Sequence, residues 1–141
     1  MYPLRVPLEE EATRESFARI CERVCEEQRW KLLPTGVELR WPDGRHQLVS
    51  LEFRDFDGED LVCFSTVVGD ARVLPPGRLM LALQANARFP HGALAVRDDQ
   101  LIMRDTFLLA DVDAAQIRAS IAYLARTADD YERIFFQTDE H

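Results

Sequence analysis

The 141 residues fit one domain, 1–141, and the 47% hydrophobic and 30% charged content supplies both a core and a soluble surface. The balance is acidic, 25 Asp and Glu against 17 Lys and Arg; with no basic run to offset it, that field repels nucleic-acid phosphates and anionic lipid and excludes both as expected partners. No apolar run is long enough to span a bilayer, Glu9–Glu11 fall where a leader peptide would be apolar, and three cysteines without framework spacing suit a reducing cytoplasm.

In chain order, Met1 to Pro7 holds Pro3 and Pro7 and is expected to be extended. A helix follows, with Phe17, Ile20, Cys21, Val24 and Cys25 on one face. Glu9 to Glu11 suit the positive end of its dipole, and Pro34 and Gly36 bar its continuation. The period then changes to two. Val37, Leu39 and Trp41 alternate with polar residues, as do Val49, Leu51 and Phe53 after a Pro42-Asp43-Gly44 turn. Beyond Asp57-Gly58, Leu61 to Val68 is apolar on both faces and belongs inside a sheet. These three strands make an antiparallel meander.

Gly69 to Gly77 is a loop, and a short helix is expected over about Arg78 to Ala87, with Leu79, Met80, Leu83 and Ala87 on one face. Ala93–Val96 and Leu101–Leu109, joined near Asp98-Asp99, form a second hairpin. The last helix has the strongest start signal. Asp113 is its N-cap, Gln116 completes a capping box, and Val112 with Ile117 fits a hydrophobic staple. Its stripe runs through Ile117, Ile121, Leu124, Ala128, Tyr131 and Phe135, and Thr138–His141 is expected to fray. The fold class is α+β, an antiparallel sheet with helices in the order α-β-β-β-α-β-β-α, because the connections are too short for parallel crossovers.

No group of residues carries recognisable chemistry. Cys21 and Cys25 lie one helical turn apart, but a structural zinc site needs two more ligands, and on an apolar face cysteine acts as a small hydrophobe. Asp55 to Asp60 crowds carboxylates around Gly58, yet it lacks the far ligand of a calcium loop and is expected to be a solvated turn. His46 and His91 have no nucleophile motif nearby, and the six glycines are too dispersed to cradle phosphate. Asp129, Asp130 and Glu132 are expected on a solvated helix face. No catalytic, cofactor or metal residue is assigned.

The stretch Leu79–Glu132 resembles the YbjN family, which is similar to the class I type III secretion chaperones, the CesT-like group. The resemblance rests on Leu79-Met80-Leu81-Ala82-Leu83-Gln84-Ala85-Asn86, on Gly92-Ala93-Leu94-Ala95-Val96, and on Ala125-Arg126-Thr127-Ala128-Asp129-Asp130-Tyr131-Glu132. It implies a secretion-chaperone-like fold, a homodimer, and a non-enzymatic domain that holds a polypeptide segment of another bacterial protein. The alternatives it leaves are a YbjN-type regulator acting through protein contacts without chaperone activity, or an enzyme with an unrecognised site.

Two surfaces are expected to serve such contacts. Leu48, Val62 and Phe64 are placed on the sheet face opposite Val49, Leu51, Phe53 and Leu61, as a partner-binding row unless a helix or a twin subunit covers it. Leu79, Met80, Leu81 and Leu83 cover more than one stripe of the middle helix, which calls for a second surface and suggests the dimer interface.

Overall fold

The structure, a computed structural model, describes residues 2–136, with side chains from Thr13 onward. Nine main elements follow in order: α1 (Tyr2–Gln28), β1 (Lys31–Leu33), β2 (Gly36–Arg40), β3 (His46–Phe56), β4 (Glu59–Asp70), α2 (Pro76–Ala85), β5 (Ala93–Arg97), β6 (Gln100–Leu108) and α3 (Ala114–Phe135). All strands pair antiparallel in one sheet of order β1-β2-β3-β4-β6-β5. The expected α+β architecture holds, with a short additional strand, β1, at the sheet edge.

The expected extended start is instead helix: α1 begins at Tyr2 and takes in both Pro3 and Pro7. Pro3 lies in the first turn, where a missing N–H has no partner to lose, whereas Pro7 lies in the second and forgoes one backbone bond. The polar end at Thr138–His141 lies outside the described residues. The start of α3 is as expected. The Asp113 carboxylate accepts the Gln116 N–H at 2.8 Å, and the Gln116 side chain accepts the Asp113 N–H at 3.1 Å.

The core lies on one face of the sheet. Val37, Val49, Val62, Phe64, Leu101 and Met103 project there and pack against Phe17 and Val24 of α1 and Ile117, Ile121 and Leu124 of α3. This corrects the expected partner-binding row. Val62 and Phe64 are fully buried, and Phe64 stacks on Phe17 with centroids 6.3 Å apart. The cause is register: Phe53 pairs with Val62 and Leu51 with Phe64, so these four share one face. Leu48 alone of the three lies on the other face, and it is exposed.

The middle helix is also set differently. It spans Pro76–Ala85 and continues as a 3-10 turn, Asn86–Arg88. Its inward residues are Ala82 and Ala85, with Leu79 half-buried beside them; Met80, Leu81 and Leu83 face out, and Ala87 is exposed. Asp129 is a further correction, since it is buried and not on a solvated face. Arg45, from the β2–β3 turn, reaches both of its carboxylate oxygens at 2.7 Å, and Arg133 adds a contact at 3.2 Å.

Candidate functional site

An apolar recess lies where α1 meets the β1 edge. Two local features build it. Arg29 adopts a left-handed φ of 62° and ends α1. The Trp30 N–H then reaches back to the Cys25 carbonyl at 2.9 Å and the Arg29 N–H to Glu26 at 3.3 Å, the bond pair of a Schellman cap. The chain reverses into β1, and a two-residue turn, Pro34-Thr35, returns it as β2.

The recess holds about 210 Å³ between Phe17, Ala18 and Cys21 of α1, Leu32 of β1, and Leu51 and Phe53 of β3. Leu32 is 41% exposed and Phe53 39%, so the apolar lining is open to solvent. Its floor is fixed. Phe53 meets Phe17 edge to face at 5.7 Å, and the Arg14 guanidinium lies 4.7 Å from the Phe53 ring while gripping Asp60 at 2.8 and 3.1 Å. Cys21 contributes as an apolar wall: its hydrogen bond to Cys25 and then its burial push its thiol pKa far up. Among the described residues no hydrogen bond reaches the outer edge of β1. An open strand edge beside an apolar recess can accept an extended chain, with main-chain bonds giving affinity and the recess selecting side chains. Sequence reasoning missed this site because β1 is too short to show a period.

A second apolar surface lies at the opposite end of the sheet. Met80, Leu81, Leu83 and Val96 are each more than half exposed. Between α2 and β5 a cleft of about 170 Å³ is lined by Leu79, Ala82, Leu83, Leu94, Val96 and Leu101. Of the four residues expected at a dimer interface, Leu79 and Leu83 line this cleft, and Met80 and Leu81 are exposed elsewhere on α2.

The open sheet face is mixed. Leu48 and Val67 flank a groove of about 420 Å³, but Ser50, Ser65, Arg97 and Gln100 line it too. Arg97 reaches Ser65 at 3.3 Å, and Arg104 reaches the Cys63 sulfur at 3.4 Å. His46 contacts Glu38 at 3.3 Å, and His91 meets the Tyr123 ring edge-on at 5.4 Å. The three cysteines are free and buried. Among the described residues no three Cys, His, Asp or Glu side chains gather as ligands, and no helix is long and apolar enough to cross a membrane.

A family model for YbjN, described as a putative bacterial sensory transduction regulator, matches residues 39–137. Solved structures share the fold, among them three of known complexes. A chain of the ExsC–ExsE complex superposes with a TM-score of 0.63 at 11% identity, covering 89% of this chain and 97% of that one. A chain of the HopA1–SchA chaperone–effector complex gives 0.59 at 6% identity, covering 83% and 93%. A chain of the heterodimeric ExoU–SpcU complex, from the type III secretion system of Pseudomonas aeruginosa, gives 0.52 at 18% identity, covering 75% and 87%. No curated protein matches significantly.

Proposed function

We propose, on the premise that this chain belongs to the YbjN family of putative bacterial sensory transduction regulators, that it acts by contact, holding an extended segment of another protein. The observation that carries this reading is the open β1 edge beside the apolar recess of Phe17, Leu32 and Phe53. The chaperone–effector complex among the structures of like fold supports it. The segment adds as a strand outside Lys31–Leu33 and places alternate apolar side chains in the recess. No catalytic step is assigned: His46 contacts Glu38, His91 packs on Tyr123, and the thiols are buried. A reducing cytoplasm suits three unpaired thiols.

Panning a displayed random-peptide library on the wild type, with counter-selection on Leu32→Asp, tests this. Enrichment of peptides with alternating apolar residues that lose binding to Leu32→Asp is expected. Enriched peptides that bind both proteins equally would contradict it.

The same reading includes a homodimer joined through Met80, Leu81, Leu83 and Val96. More than half of each side chain is exposed, and a two-fold pairing covers the same patch twice. A stable interface buries more than about 1,000 Å² in total. Leu81→Glu places a charge at that surface, where burying it unpaired is costly. Sedimentation at micromolar concentration should give a wild-type dimer and a folded Leu81→Glu monomer; a wild-type monomer contradicts the dimer.

A further inference from the structure

The sheet has two ends, β1 and β5, and they are treated differently. Any edge strand offers free N–H and C=O groups as a template for another chain. At β5 this template is occupied at Leu94, one of the two outward-facing residues. The Leu94 N–H donates to Asn86 Oδ1 at 2.7 Å, and Asn86 Nδ2 donates to the Leu94 carbonyl at 3.1 Å. A carboxamide presents one acceptor and a pair of donors, so Asn86 bonds Leu94 as the backbone of a neighbouring strand would. Leu94 sits opposite Met103, and in an antiparallel ladder alternate residues turn their backbone groups away from the partner strand. Leu94 is such an outward residue, and Val96 is the next. Asn86 is held in place by the 3-10 turn that ends α2, with its backbone N–H bonded to the Leu83 and Gln84 carbonyls.

We propose that Asn86 is a specificity-determining residue that seals the β5 edge, so that strand addition is confined to β1. This rests on the reading of β1 as the acceptor edge, although the seal itself is measurable without any peptide. It also keeps contact between copies at the α2–β5 surface a matter of side chains. Without the seal, β5 strands of two copies can pair and association runs on beyond the intended state. The inference gives Asn86, which closes the Leu79–Asn86 stretch, a task that helix formation alone does not explain.

Two proteins test it: wild type and Asn86→Ala. Amide hydrogen exchange should find Leu94 protected in the wild type and exchanging about tenfold faster or more in Asn86→Ala, in keeping with the loss of one net hydrogen bond. Sedimentation velocity should show larger species for Asn86→Ala than for wild type at equal concentration. A folded Asn86→Ala protein that sediments like wild type overturns the proposal. So does a wild-type Leu94 amide that exchanges at the unprotected rate, a measurement that decides the matter even if Asn86→Ala fails to fold. Failure of peptides to bind at β1, with the seal behaving as described, would instead overturn the reading of β1 alone.

Discussion

Arg29 sets the direction in which the chain leaves α1, and it does so from a left-handed backbone conformation that costs an L-residue about 1–2 kcal/mol. Glycine adopts that conformation freely but loses more backbone entropy on folding. Arg29→Gly should therefore raise stability by about 0.5–1 kcal/mol in urea unfolding; an unchanged or lower midpoint would mean that the arginine side chain contributes more than its strain. Asp129 acts at the same scale. It clamps α3 to the β2–β3 turn through Arg45, which also lies over the Trp41 ring at 5.5 Å. Asp129→Ala leaves that guanidinium without its buried partner and should lower the thermal midpoint, and Arg45→Ala on top of it should add little. Local sequence could not reveal this pairing. The two residues are 84 positions apart, and helical spacing alone puts Asp129 beside Asp130 and Glu132. By contrast, the Asp113–Gln116 capping box was legible because all of its atoms lie within one turn.

At the level of elements, the meander and the second hairpin were legible from period-two alternation, since half-buried strands must alternate. The pairing of faces was not read correctly, although the turn contains it. Asp57-Gly58 as a two-residue loop pairs Phe56 with Glu59, and counting back places Val62 opposite Phe53 on the same face. A one-residue error in that count moves Val62 and Phe64 from the core to the surface. β1 had no such signal, because Lys31-Leu32-Leu33 is too short to alternate. It exists because Gly36 lets the returning strand come close to β3: a Cβ there would collide with the Val49 carbonyl. Gly36→Ala should destabilise the protein by roughly 1–3 kcal/mol, the usual cost of overpacking. It should also loosen β1 and β2 together, which amide exchange along both strands would register; loss confined to β3 would argue against this account.

In the whole molecule, three helices cover one sheet face, an apolar recess opens at β1, and an apolar helix surface stands exposed at α2. The ends of the sheet have different chemistry, one open and one engaged at Leu94 by Asn86. Under the proposed function, copies join at α2 and a foreign segment docks at β1, at opposite ends of the sheet, so the two contacts need not compete. Composition made the exclusion of nucleic acid as a partner expected, and the α2 leucines stood out in sequence. The recess did not, since it is assembled from α1, β1 and β3 and exists only once they pack. The most direct test is backbone amide mapping by NMR with the tightest peptide from the library selection. Shifts should concentrate at Lys31–Leu33, with new exchange protection at Leu32, whose N–H faces away from β2, side-chain changes at Phe17 and Phe53, and none at Leu94. Shifts centred on Leu48 and Val67 of the open sheet face, with β1 unmoved, would contradict the account.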